Sequence, residues 1–515
     1  MGILSREQGK VLLSGSSLTV EQFKRLLQDI TEEDLSESGK AVYRRLNTYL
    51  DSDSWLGYES DVLKVGFDPA FQGEVYYKTN EDTPWIWDYH YRHPLFLLPV
   101  NISLGPWISA EMDVQVGQNE YAATLHDNYI NVPWDPVSQF DIHFPKRAFF
   151  SAGLPLGRAS GVNFTLGQGE DFFGHTKTGS IILSEYLERV TYGQLTIYSP
   201  AITYTAEVMQ YEVNKYHYMH YLQIRPHKTI SVSLSEGVMV NAPLELRFMN
   251  PFTVFHSYES FKTYNDYNED IGHTEIEDPT DGSRIGSYFG ARIEWQPIRY
   301  LRIYGLFAMD QLQLGVEKSH WEESLTPDAL AFQGGAEVTL PARGGHWQFG
   351  LEGVYTYPYM YVLWDKHWSF YKENPEMDAG GMDVRYWTGS PFGPDSIAGA
   401  FWAGFHATSK WSAVFSFTVS AQGERSGLDI FDTDDYKTGG KTYRPTHDVY
   451  TVTSPPTGIP VYTYTASILG KWAPLKWLDL SLQPGYRYIM NLGHITGESA
   501  QGFEIAFSAR IRPQL

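Results

Sequence analysis

The stretch IGSYFGARIEWQ, residues 285–296, decides the fold. Ile285, Ser287, Phe289, Ala291, Ile293 and Trp295 alternate with Gly286, Tyr288, Gly290, Arg292, Glu294 and Gln296. Successive side chains of an extended chain point to opposite faces, so this is one strand with an apolar face and a charged face. The pattern returns at residues 502–512, where Phe503, Ile505, Phe507, Ala509 and Ile511 oppose Glu504, Ser508, Arg510 and Arg512. Apolar side chains outward and polar ones inward, over strands of ~10 residues, describe a membrane β-barrel. A soluble sandwich also alternates, so strand length and connections must separate the two.

The connections alternate between short and long. Strand 285–296 meets 300–312 through a short turn near Pro297, and a longer acidic connection, 315–328, leads to 329–340. A short turn at Pro341–Gly345 precedes 346–357, and a long loop then runs to about residue 396. Strands 397–407 and 411–422 share a short turn, a long loop covers 423–460, and 461–472 turns at Pro474 into 477–490. Short turns on one rim and long loops on the other are the habit of outer-membrane barrels, the short turns being periplasmic. Further strands are predicted near 62–67, 71–79, 101–117, 146–154, 161–169, 191–199, 202–211, 215–224 and 229–249. The total is about 18, and both termini fall on the short-turn rim, which requires an even count.

Residues 18–52 form the one predicted helical stretch. Thr19 with Gln22 makes a capping-box pattern, Val20, Phe23, Leu26, Leu27 and Ile30 follow helical spacing, and a second helix runs from Ser38 to Leu50. The expected division is a periplasmic helical segment, 1–60, docked at the barrel mouth, and a transmembrane antiparallel barrel, 61–515, with long extracellular loops.

Composition agrees with that division. Tyr, Trp and Phe make up 15% of the 515 residues, a load that suits sheets and interfacial girdles. The longest apolar run, Ile397–Phe405, is far short of the ~20 residues of a spanning helix, so a membrane-spanning form must be a closed barrel. A net charge of −22 excludes an electrostatic nucleic-acid binder. With no cysteine, disulfides, thiolate zinc sites and cysteine catalysis are excluded. No basic and then apolar leader opens the chain, which reads as a mature form with a replaced leader.

Four stretches resemble the capsule-assembly Wzi family of outer-membrane proteins. They are GVNFTLGQGEDFFGHTKTGSIILSEYLERV (Gly161–Val190), LELRFMNPFTVFHSY (Leu244–Tyr258), RIEWQPIRYLRIYGLFAMDQLQL (Arg292–Leu314) and FQGGAEVTL with WQFGLEGVYTYPYMY (within Phe332–Tyr361). The resemblance implies an 18-stranded barrel with a periplasmic helical bundle, and a lectin role holding capsular polysaccharide at the cell surface. Leu515 departs from the aromatic residue with which such barrels often end.

Several residue groups are candidates for a site. Ser257–Arg284 carries eight acidic and two basic residues, with Tyr258, Tyr264 and Tyr267 among Asn265, Asp266 and Asn268. Flat rings for the C–H face of a sugar and planar acceptors for its hydroxyls would bind glycan, while the bland reading is a solvated loop. Trp364, His367, Trp368, Tyr371, Tyr386 and Trp387 either stack on a ligand or belong to an interface girdle or loop packing. Asp432, Asp434 and Asp435 fail the EF-hand pattern at Tyr436, and Gly439–Thr442 fails the phosphate-loop pattern. His90 with His93, and His217 with His220, fall on opposite faces of a strand and cannot share an ion. Arg292, Glu294, Arg302, Glu337, Glu352, Arg487, Glu504 and Arg510 are positioned to line the interior, and their mixed signs favour a filled lumen over a pore.

The leading expectation is therefore a non-enzymatic surface lectin-like barrel, with no metal or cofactor. Its expected partners are outer-membrane lipids and surface polysaccharide. The alternatives are a porin or uptake channel, and a structural or adhesion subunit working with other envelope proteins.

Overall fold

The computed structural model describes the chain apart from residues 1, 12–19, 51–53, 87–92, 106, 119–128, 131–139, 144–146, 157–159, 188–189, 256–284, 313–326, 364–368, 376–382, 409, 428–453 and 514–515. The capping residue Thr19 therefore lies outside the described residues.

Eighteen antiparallel strands close into a barrel. Closure is made by the first wall strand, Ala70–Lys78, against the last, Ser499–Ile511, in register from Phe71 opposite Ile511 to Lys78 opposite Glu504. The preceding strand Leu63–Phe67 continues the same edge, pairing with Phe96–Leu104. Two sequence readings change here. The single strand expected at 101–117 is two, Phe96–Leu104 and Ile108–Gln118, because Gly105 adopts φ +55 and turns the chain. The strand expected at 229–249 ends at Asn241.

The deciding strand, Ile285–Trp295, behaves as its alternation requires. Gly286, Tyr288, Gly290 and Glu294 are buried, whereas Ser287, Ile293 and Trp295 are exposed. Around the wall, outward Phe332, Leu351, Phe401, Phe417, Ile468, Phe503 and Phe507 are exposed. An apolar belt facing out and polar groups facing in invert a soluble fold, and only lipid satisfies that surface. No described helix is long and apolar enough to cross a membrane, so the strands do the crossing.

Three helices gather at the short-turn rim. These are α1, Gly2–Gln8, which was not expected, then α2, Val20–Gln28, and α3, Glu37–Leu50. Leu4, Leu27, Ile30 and Leu35 form their small shared core. At about 2 kcal/mol per buried aliphatic side chain, that core is too small to hold the helices by itself. Polar anchors to the wall complete it. Arg25 donates to the Ser160 carbonyl at 2.7 Å, Ser38 to the Ala342 carbonyl at 2.7 Å, and Arg225 to Asp29 at 3.0 Å. The last strand also finishes on this rim, with Ile511 opposite Leu478.

Candidate functional site

The lumen is occupied from both ends. From the short-turn rim comes α1. Arg6 reaches Glu337 at 2.6 Å and donates to the Thr339 hydroxyl at 2.6 Å. Glu337 also takes Arg302 at 3.1 Å, and Arg302 takes Glu294 at 3.1 Å. Arg292 completes the chain on Glu294. These pairs are nearly dry, so their attraction is weakly screened, yet each partner left alone would be a costly buried charge. They act as a registration device between helix and wall.

Glu7 is the second anchor of α1. Its carboxylate lies 2.6 Å from His346 Nε2 and accepts from the Ser36 hydroxyl at 2.8 Å and the Ser36 amide at 3.0 Å. Burial pushes the Glu7 carboxyl up, but the hydrogen bonds from His346 and Ser36 outweigh it and hold it below its ordinary range. Ser36 stands just before α3, so Glu7 ties two helices and a strand together. Gly39 leaves the room for this, since a Cβ there would sit 2.3 Å from Glu7 Oε2.

From the long-loop rim the connection after strand Gly161–Gly169 turns inward. Ile181, Ile182 and Leu183 are completely buried, beside Phe173, Tyr288, Tyr304, Tyr361 and Phe370. Glu352 of the wall accepts from the Lys177 amide at 3.0 Å and the Thr178 amide at 2.9 Å, and from the Thr178 and Tyr304 hydroxyls. Gln333 accepts from the Ile181 amide at 3.2 Å, and the Tyr288 and Tyr361 hydroxyls each donate to the Ile181 carbonyl at 2.7 Å. A buried loop must place its backbone groups somewhere, and here the wall supplies the partners. The inward segment meets the rim anchor directly, because Arg302 donates to the His175 carbonyl at 3.0 Å. Residues 357–363 join the same core, with Tyr359 to Val362 fully buried.

A third inward segment lies beside the closure seam. Arg487 donates to the Pro84 and Trp85 carbonyls, and Glu504 accepts from the Ile86 amide at 3.1 Å. The interior charges expected as one lumen network form three clamps, the first two joined where Arg302 meets the His175 carbonyl. Arg292 and Glu294 belong to the α1 clamp, Glu352 to the inward segment, and Arg487 to the seam.

The histidine pairs also resolve. His217 faces in, 3.1 Å from the Tyr211 hydroxyl, and His220 faces out, 3.3 Å from Glu236. His93 lies 2.5 Å from Glu74, while His90 is outside the described residues. Of the candidate glycan residues, Tyr258, Tyr264, Asp266, Tyr267, Asn268, Trp364 and Trp368 lie outside the described residues. Trp387 is described. It stands half-buried on a two-strand ribbon, Tyr371–Pro375 with Asp383–Trp387, at the long-loop rim. The exposed Arg385 guanidinium lies 5.3 Å from the Tyr371 ring centre and 5.7 Å from that of Trp387. The buried Lys215 ammonium stands 3.6 Å from the Tyr371 ring centre. Sequence reasoning missed Arg385 and Lys215. The inward segments were also missed, although the apolar runs GSIILS and YMYVL, in connections between strands, are unlike solvated loops.

No protein family and no curated sequence matches the chain. Among solved structures it is similar to Wzi of Escherichia coli, an outer-membrane carbohydrate-binding β-barrel involved in group 1 capsule assembly. The identity is 12% and the TM-score 0.60, over 99% of this chain and 96% of that one. OprD of Pseudomonas aeruginosa aligns with 10% identity and a TM-score of 0.42, over 90% of this chain and 98% of that one. The similarity to Wzi shows a shared fold, that of an 18-stranded outer-membrane barrel.

Proposed function

We propose that the chain is a non-catalytic outer-membrane barrel that binds surface polysaccharide at its long-loop rim, with the helices and both termini on the periplasmic side. The observation that carries this reading is the lumen occupied from both ends. A barrel so filled has its long-loop rim, not its interior, to offer a ligand. That rim holds the half-buried Trp387 ring beside the exposed Arg385 guanidinium, with Tyr371 buried beneath them, a pairing suited to a sugar ring and its polar substituents. The carbohydrate binding described for Wzi, on the same fold, agrees with it.

A channel is the second reading, favoured by one wall. The inward Ser416, Thr418, Ser420, Thr463 and Thr465 are partly exposed, so the lumen is less covered there than at Ser231 to Ser235. Titration calorimetry with polysaccharide stripped from the cell surface tests the first reading. Binding that weakens about tenfold in Trp387→Ala or Arg385→Ala, roughly 1.4 kcal/mol, is the expected result. A wild-type protein that ignores surface polysaccharide sinks it.

A further inference from the structure

The chain also covers part of the barrel from outside. Alternation sends Tyr218, His220, Glu236, Val238 and Val240 toward lipid, yet Tyr218, Val238 and Val240 are 1%, 3% and 0% exposed. Residues 242–255, which follow strand Ile230–Asn241, lie over them, with Phe248 and Phe255 packed on the wall. The Tyr218 hydroxyl accepts from the Glu245 amide at 3.2 Å, and the Tyr204 hydroxyl donates to the Pro251 carbonyl. The Phe255 ring stacks on His220 with centres 4.2 Å apart, and its amide donates to Glu236 at 3.4 Å.

An outward histidine and carboxylate facing hydrocarbon would be expensive, and this cover buries His220 and half-covers Glu236, which it also supplies with a hydrogen bond. The cover's own outer side is apolar. Leu246 is 82% exposed, Phe252 77% and Val254 56%. On the same strands, farther from the long-loop rim, Ile202, Ile224, Val232 and Leu234 are exposed members of the lipid-facing belt. The apolar surface of the cover is therefore continuous with a surface that already meets lipid.

We propose that residues 244–255 form an outer-wall clamp whose Leu246, Phe252 and Val254 enter the lipid leaflet beside the long-loop rim. The partner is the acyl-chain region of the bilayer. The clamp closes the wall over a polar pair, and it fixes to the membrane surface the root of the connection that continues into Ser257–Arg284. It stands independently of any glycan.

The absence of cysteine makes the test direct. Single variants Leu246→Cys and Phe252→Cys carry an environment-sensitive nitrobenzoxadiazole label in phosphatidylcholine vesicles, with Tyr49→Cys, 73% exposed on α3, as the aqueous reference. Folding of each variant is checked by heat-dependent gel mobility. The clamp labels should be quenched several-fold more by shallow doxyl-lipids than the reference, and should be shielded from iodide. Iodide quenching equal to that at residue 49 overturns the proposal. Shielding from both quenchers, with energy transfer between labelled barrels, would assign the surface to a second copy and overturn it equally.

Discussion

The inward segment around Ile181 and the rim helices both close the lumen, but they are built on opposite principles. The inward segment is dry. Three consecutive aliphatic side chains vanish into a tyrosine-lined core, and a wall carboxylate, Glu352, holds its backbone. The helices are partly exposed along α2 and α3, and only their anchors on α1 are dry. Their core is four buried side chains, and the carboxylate that matters, Glu7, comes from the helix while the wall offers His346. The difference teaches where each closure is vulnerable: the inward segment to the loss of a satisfied partner, the helices to the loss of charge.

The largest effect should come from Glu352→Leu. It leaves two buried amides and two hydroxyls without their acceptor, at a cost of about 3–5 kcal/mol. Guanidinium unfolding in detergent should shift accordingly, and protease should cut within 170–187 while the helices stay protected. An unchanged midpoint would break the contrast between the two closures.

Arg6→Ala should be milder, about 2 kcal/mol, because Glu337 keeps Arg302 as a partner. Here limited proteolysis should release the helices and spare the inward segment. Joint release of both would mean that they are one cooperative unit.

The pH effect is the most discriminating, since acid should move the two closures in opposite directions. Burial pushes the Glu185 carboxyl, on the inward segment, up to about 7. The docked state holds that proton more tightly than the free one. Docking is thus fully favoured below the ordinary 4.5 and loses strength as pH rises through about 7. Glu7 is held below its ordinary 4.5, so its contribution is present above that value and is lost as pH falls beneath it. Protease protection measured from pH 8 to pH 3 should rise for the inward segment and fall for the helices. Glu185→Gln should lessen the rise of the first curve, the buried Asp171 and its neighbour Glu170 keeping the remainder, and Glu7→Gln should flatten the second; curves that move together would remove the distinction.

The wall was legible in the sequence because a period of two is a local signal, repeated wherever lipid meets one face of a strand. Ile285–Trp295 and Ser499–Ile511 needed nothing beyond themselves. α3 was legible for the same reason, at helical period. The inward segments were not, because what decides their path is a distant partner. Glu352 lies 174 positions from Thr178, and Gln333 lies 152 from Ile181. The division of the interior charges among three clamps depends on which segment reaches each of them. The outer-wall clamp escaped for a subtler reason. LELRFMNPF reads as the head of a loop, and only the unexpected burial of Tyr218 and Val240 reveals that it lies against the wall. Of the candidate glycan residues, Tyr371, Tyr386 and Trp387 fall among the described ones. Their neighbour Arg385 joins them through a ribbon that aromatic content by itself did not predict.

The central claim is that the barrel is closed by its own segments, and steady conductance in planar bilayers tests it most directly. The full-length protein and a form lacking residues 1–60 should both stay silent, because the inward segments are held in the lumen by wall partners other than those of the helices. Steady ion conductance from the full-length chain would contradict the account and promote the channel. Conductance appearing only after truncation would move the closure from the inward segments to the helices, against the contrast drawn above.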